Sequence, residues 1–315
     1  MDAPDLKLQQ VSVTRKMAAS LPRLREIAQG KGLKMHHLGA GYPHPEVTDP
    51  RKFLEHQSRY FEFLEKKEGI NEAQNLPEYL RESYSYTDTL GPRSTRDCFA
   101  RVYGRDWGID IDPDLLIPTV GASGGINLIC SLFERPGNMV AYITDAPTYP
   151  GFTARAGLCQ HATIFSVEMD EEGAKPDEFE RQIKKARELG HYVPFYYTVP
   201  DGHNPAGFSF SQSRRQQLLD IAREQDLLIV EDAPYVYINF AESADRPDPF
   251  FVMDPKFLKY IKNDKISNYN KNSIQGKIHQ KKDILSYEMV KETYLKPKFI
   301  ILSANITVFF KPDFL

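Results

Sequence analysis

Two short apolar runs, Val193 to Val199 and Leu227 to Val230, are each bounded by turn residues. Between them, Ser211 to Asp226 carries Leu218, Leu219, Ile221 and Ala222 on one side of an Arg/Gln-rich segment. The runs predict buried strands, and the segment predicts an amphipathic helix lying on a sheet. The unit is therefore strand, helix, strand, and the same alternation along the chain supports a doubly wound, mostly parallel α/β sheet with helices on both faces. Ligands of such sheets sit beyond the carboxyl ends of the strands. The residues placed there are Asp201-Gly202-His203-Asn204-Pro205-Ala206-Gly207 after the first run and Glu231-Asp232-Ala233-Pro234-Tyr235 after the second. Asn204, Asp232 and Tyr235 therefore converge on one site, where an amide, a carboxylate and a phenol can hold a polar ring. Either cluster alone would equally serve as a turn or a helix cap.

Further strands and helices alternate upstream. Leu115 to Val120 reads as a strand, and Gly121-Ala122-Ser123-Gly124-Gly125 as a glycine-rich turn opening a helix at Ile126 to Phe133. Such a turn leaves backbone N–H groups and the positive end of a helix dipole free for a phosphate, with Ala122, Ser123 and Gly124 as the candidate donors. No Walker lysine follows it, which disfavours a nucleoside triphosphatase. Met139 to Thr144 is the next strand, ending in Asp145-Ala146-Pro147-Thr148-Tyr149-Pro150-Gly151. His161 to Val167 is another, and Asp177 to Leu189 is a helix with Phe179, Ile183, Ala186 and Leu189 at core spacing. Nearer the N-terminus, helices are expected over Leu21 to Gly30 and Phe53 to Lys67.

The order of these words resembles the class I/II aminotransferases, the fold-type I pyridoxal phosphate enzymes. The words are Ser85-Tyr86-Thr87-Asp88-Thr89-Leu90-Gly91-Pro92-Arg93-Ser94-Thr95-Arg96, the Gly121 turn, Pro147-Thr148-Tyr149-Pro150-Gly151, Asn204-Pro205-Ala206-Gly207 and Asp232-Ala233-Pro234-Tyr235. The resemblance implies a fold-type I large domain, a mostly parallel sheet with helices on both faces, with the small domain incomplete. It also implies pyridoxal 5'-phosphate as cofactor. Asp232 would pair with the protonated pyridine nitrogen, and Asn204 and Tyr235 would reach the ring's phenolic oxygen. Tyr149 would stack on the ring, and Ala122, Ser123 and Gly124 would bind the phosphate. Tyr86 would reach the phosphate of the neighbouring subunit, which implies a homodimer. Thr95 stands where the family usually has leucine. Lys34-Met35-His36-His37-Leu38-Gly39-Ala40-Gly41-Tyr42-Pro43-His44-Pro45 is similar to the substrate-side loop of the aromatic amino acid, kynurenine and 2-aminoadipate subgroup, with Gly41 as the candidate substrate contact. The implied reaction moves an amino group from an amino acid to a 2-oxo acid.

The resemblance stops near Lys256. Residues 1 to 255 contain 18 Arg and 10 Lys, whereas residues 256 to 315 contain 12 Lys and no Arg. The family's Ser-x-Ser-Lys word, which carries the Schiff-base lysine, is not found, nor is a C-terminal arginine for the substrate carboxylate. Lys262, Lys265 and Lys271 fall in the corresponding interval, with Lys265 the weak candidate, but a lysine in so Lys-rich a stretch is ordinarily a solvated charge. Within this tail only Phe299 to Leu302 and Ile306 to Phe310 are apolar enough for strands; Lys256 to Lys282 reads as disordered. The chain thus divides into residues 1–85, an N-terminal segment with part of the small domain and the substrate-side loop; 86–255, the incomplete cofactor-binding large domain; and 256–315, a divergent or aberrant tail. Such a chain is expected to be truncated, with weak activity or none. The alternatives are a noncatalytic cofactor-binding or dimerising protein, and a lyase or decarboxylase on the same fold.

Composition narrows the partners. A net charge of -3 and a pI near 6.3 give no footprint for nucleic acid or an anionic membrane. The first twenty residues lack an apolar signal core, so the expected compartment is cytoplasmic. Cys98, Cys130 and Cys159 form no CxxC pair, which argues against a zinc site, and are expected to be buried packing residues.

Overall fold

The computed structural model describes residues 13–36, 49–68, 85–134, 137–237, 246–253, 299–303 and 306–309. It divides into two compact units, residues 1–92 and 93–315. In the first unit α1 (Val13–Gly30) and α2 (Pro50–Glu68) are the described helices. The first is longer than the Leu21 to Gly30 segment expected, with Pro22 in its interior.

The second unit is built on an eight-stranded sheet. Its elements are α3 (Arg93–Trp107), β1 (Leu116–Pro118), α4 (Gly121–Phe133), β2 (Val140–Ala146), α5 (Pro150–Ala156), β3 (Ala162–Asp170), β4 (Gly173–Ala174), α6 (Pro176–Glu188), β5 (Tyr192–Thr198), α7 (Gln212–Glu224), β6 (Leu228–Asp232), α8 (Phe250–Met253), β7 (Phe299–Ser303) and β8 (Ile306–Phe309). The strand order is β1-β8-β7-β6-β5-β2-β3-β4. The central strands are parallel, with Ile143 level with Tyr196, and Tyr196 level with Ile229. β8 lies antiparallel between β7 and β1, and β4 is antiparallel to β3.

Strand alternation sends successive side chains to opposite faces. Ala141, Ile143, Tyr196 and Ile229 join one cluster with Phe179 and Ile183 of α6 and Leu218, Leu219 and Ala222 of α7. Val140, Tyr142, Phe195, Tyr197 and Val230 join the other, with Ile126, Ile129 and Cys130 of α4 and Phe152 of α5. The helix faces follow from sequence: α6 has Asp177 and Glu178 in its first turn and Lys185 and Arg187 in its last, the charge order its dipole favours. Ser211 caps α7 by accepting from the Arg214 N–H at 3.2 Å.

Several expectations change. The glycines from Gly121 to Gly125 are the first turn of α4 itself rather than a loop before a helix at Ile126, with Gly121 at φ 68° making the entry. Leu189 is 61% exposed, because the α6 helix closes at Glu188 and its core stripe ends with Ala186. Of the cysteines only Cys130 is buried; Cys98 is exposed and Cys159 intermediate. Residues 256–315 also supply two strands of the main sheet, since β7 continues the parallel order beside β6 and β8 reaches β1. These are the two apolar runs of the tail, and their backbone groups are paired in the ladder rather than left at an open edge.

Candidate functional site

The site forms where strand order reverses. The chain leaves β2 through α5 to reach β3 on one side, and leaves β5 through α7 to reach β6 on the other. α5 and α7 pack on opposite faces, so the carboxyl ends of β2, β5 and β6 meet at a topological switch point, the place where open α/β sheets hold their ligands. Those three ends carry Tyr149, Asn204 and Asp232, respectively.

Asp232 is the last residue of β6, buried, and on the α4/α5 face like Val230 two residues earlier. Its Oδ2 accepts from the Tyr197 hydroxyl at 2.5 Å, while its Oδ1 is buried without a hydrogen-bond partner. Burial raises its pKa to about 6, and the Tyr197 hydrogen bond opposes that rise. Among the described residues no cation forms an ion pair with it. A buried carboxylate oxygen without a donor is costly, so this arrangement suits a charged donor supplied from outside the chain.

Around Asp232 the other predicted residues take their places. The Asn204 amide donates to the Tyr235 hydroxyl at 3.5 Å, bringing together residues from the β5 and β6 turns. Gly202, at φ 50°, makes this approach possible: a Cβ there would lie 3.3 Å from the Tyr235 Cβ. Tyr235, Tyr149 and Ala122 all pack against the cluster that contains Tyr197, Phe152 and Val230. Tyr149 caps α5 with its ring folded over Gly151, where a Cβ would meet the ring carbon Cε1 at 2.3 Å. Only glycine leaves room for that ring. At the start of α4, Ala122, Ser123 and Gly124 lie in a first turn with no side-chain cap and no acidic residue. Its N–H groups therefore retain their capacity for an anion. Tyr86 belongs to the first unit, where it is fully exposed. Gly41 and Lys265 lie outside the described residues.

Sequence reasoning missed three contributions. The Tyr197 hydroxyl on Asp232 is one, hidden inside an apolar run. The second is a buried fastening of the two turns: Asp145 at the end of β2 accepts from the Tyr196 hydroxyl and faces His203 Nε2 at 3.2 Å. The Ala206 N–H donates to His203 Nδ1 at 3.3 Å, which assigns the proton of a neutral ring to Nε2 and makes that nitrogen the donor to Asp145. The Tyr149 turn and the Asn204 turn are thereby tied through residues 58 apart in sequence. Third, Arg155 of α5 holds Glu134 through both guanidinium nitrogens at 2.7 and 2.8 Å and reaches Asn127 at 2.6 Å, fixing α5 on α4. The polar types at Asp145 and His203 were a signal; their pairing was not.

No group of three or more His, Cys, Asp or Glu among the described residues is arranged to hold a metal ion. No helix among them is long and apolar enough to cross a membrane.

A mostly parallel sheet with an acid, an amide and two phenols gathered at its switch point defines a fold-type I transferase large domain. Residues 70–257 match the model of the aminotransferase class I and II family, and the chain belongs to that family. It is 27% identical over 172 residues to aromatic-amino-acid aminotransferase 1 of Thermococcus litoralis, covering 55% of this chain and 40% of that one. It is 30% identical over 198 residues to the (S)-3,5-dihydroxyphenylglycine transaminase of Amycolatopsis orientalis, covering 63% of this chain and 43% of the relative. The chain thus spans well under half the length of these relatives. In fold it matches the crystal structure of an archaeal alanine:glyoxylate aminotransferase with a TM-score of 0.63, covering 93% of this chain and 60% of that one at 23% identity.

Proposed function

We propose that this chain carries the cofactor cradle of a pyridoxal phosphate-dependent aminotransferase that moves an amino group from an aromatic or 2-aminoadipate type amino acid to a 2-oxo acid. The observation that carries the reading is the buried, unpartnered Oδ1 of Asp232 beside the Asn204–Tyr235 pair. The aminotransferase names of the relatives favour transfer over a lyase or decarboxylase, and the aromatic substrates in those names support the donor class.

When bound, the cofactor supplies an electron sink for the substrate's α-carbon. Asp232 offers its ring nitrogen a charge-bearing acceptor, and Asn204 and Tyr235 orient the ring through its phenolic oxygen. Tyr149 covers one ring face and excludes water, and the first-turn amides at Ala122, Ser123 and Gly124 hold the phosphate. Tyr86 joins that phosphate from the neighbouring subunit of a cytoplasmic homodimer, and Gly41 contacts the substrate. The cofactor-binding domain, residues 86–255, takes in the last seven residues of the first compact unit; residues 1–85 form the N-terminal segment and residues 256–315 a divergent end that adds two strands.

A second reading, cofactor binding without turnover, is favoured by the lack of the Ser-x-Ser-Lys word. One experiment separates the two. The purified chain is mixed with pyridoxal phosphate, reduced with borohydride and mapped by peptide mass. Labelling of one lysine, together with amino transfer from an aromatic amino acid, is the expected result for the enzyme. Saturable binding without a labelled lysine selects the noncatalytic reading, and no binding sinks both.

A further inference from the structure

Tyr197 lies on β5 near the switch point, with no exposed surface. Its ring is flat against Phe152 of α5, with centroids 4.0 Å apart and planes 4° from parallel. The stack leaves the ring little freedom to turn, and its hydroxyl ends on Asp232 Oδ2. Desolvation and the neighbouring carboxylate push the Tyr197 pKa well above its ordinary value, so the hydroxyl stays a donor throughout the working pH range. The identity of this donor matters. A lysine or arginine here would satisfy the carboxylate and cancel its charge toward a ligand. A phenol satisfies one oxygen, adds no charge, and leaves Oδ1 as the single free acceptor.

We propose that Tyr197 is a positioning residue: held by its stack on Phe152, it fixes the rotamer of Asp232 through Oδ2, so that Oδ1 meets the ring nitrogen of a pyridine cofactor as a charged acceptor. This inference rests on the cofactor reading above. It makes the hydroxyl, rather than the ring, the functional part of Tyr197. The stack is structural; the hydrogen bond sets the electronic state of the ring nitrogen.

The test uses the full chain and pyridoxamine phosphate, which needs no covalent lysine. Binding is measured by titration calorimetry for wild type, Tyr197→Phe, Tyr197→His and Asp232→Asn, and the protonation of the ring nitrogen by NMR of cofactor labelled with 15N in the ring. Tyr197→Phe keeps the stack and is expected to bind about tenfold more weakly, the scale of one hydrogen bond to a charged group. Its 15N resonance should move toward the unprotonated position. Tyr197→His, which restores a ring N–H donor, should recover much of both signals. A wild-type chain and an Asp232→Asn variant that differ in affinity, beside a Tyr197→Phe variant with wild-type affinity and 15N shift, would overturn the inference and leave the cofactor reading standing. No binding by wild type would overturn both.

Discussion

Glu231 and Asp232 are neighbours at the end of one strand, both buried, and they face opposite sides of the sheet. Glu231 points toward the α7 side, where Arg215, itself buried, binds Asp201 at 2.7 Å and lies 3.8 Å from Glu231. The Phe250 N–H donates to Glu231 at 3.3 Å, and Arg215 also donates to the Phe210 and Pro200 carbonyls. Asp232 points toward the α4/α5 side and has a phenol but no cation among the described residues. Both acids keep one buried oxygen without a hydrogen-bond partner, Oε2 of Glu231 and Oδ1 of Asp232, but only Glu231 has a cation within ion-pair distance. The difference shows that burial of a carboxylate does not by itself mark a binding site. What marks it is the missing internal cation.

The largest test of this contrast is Arg215→Met. It strands Asp201 and Glu231 as buried acids without a cation, and breaking such a pair costs about 3–5 kcal/mol, to be read from the urea midpoint. A loss below about 1 kcal/mol would mean that the two faces do not differ as described. Asp232→Asn should behave oppositely. It removes an unanswered buried charge, so stability should stay within about 1 kcal/mol of wild type or rise, while pyridoxamine phosphate binding falls about tenfold or more. Equal destabilisation by both variants would erase the distinction.

Titration sharpens the contrast further. Burial raises the Glu231 pKa from 4.5 to about 8, with Arg215 opposing and Asp201 adding to the rise. A raised folded pKa means that the folded state holds the proton more tightly, so this contribution to stability is full below pH 4.5 and is lost as pH rises toward 8. Asp232 acts in the same sense between 3.8 and about 6. Glu231→Gln should therefore flatten the fall in melting temperature between pH 6 and 8, a window above the Asp232 transition; an unchanged slope would assign that fall elsewhere. The smallest effect is expected from Ser211→Ala. Loss of the cap on the helix that carries Arg215 should cost about 1 kcal/mol in thermal or urea unfolding and leave cofactor affinity unchanged. A change in affinity would show that the two faces are coupled.

Much of this architecture is legible in the residues. Apolar runs such as Val193 to Val199 and Leu227 to Val230 reveal strands because two-sided burial needs continuous apolar side chains. Turn words such as Asn204-Pro205-Ala206-Gly207 are legible because few residues accept their backbone geometry. Arg214 and Arg215 were not legible as buried residues. A charge on a helix ordinarily reads as solvated, and only the fold supplies Asp170, Asp201 and the Gly173 and Ala174 carbonyls that make their burial tolerable. The two strands from the tail were visible as apolar runs, but not their place beside β6, since pairing depends on which edge the rest of the sheet leaves open.

The sequence by itself determined the order of strands and helices and the residue types delivered to the strand ends, because these depend on local periodicity and turn chemistry; the family followed from the resemblance of its motifs. Tertiary structure decided which of two adjacent acids meets an arginine and which meets a tyrosine. It also decided that Asp145 and His203, 58 residues apart, join the Tyr149 and Asn204 turns. The physical reason is that hydrogen-bond and ion-pair partners are selected by proximity in space, and a period of two along a strand fixes the face but not the group waiting there.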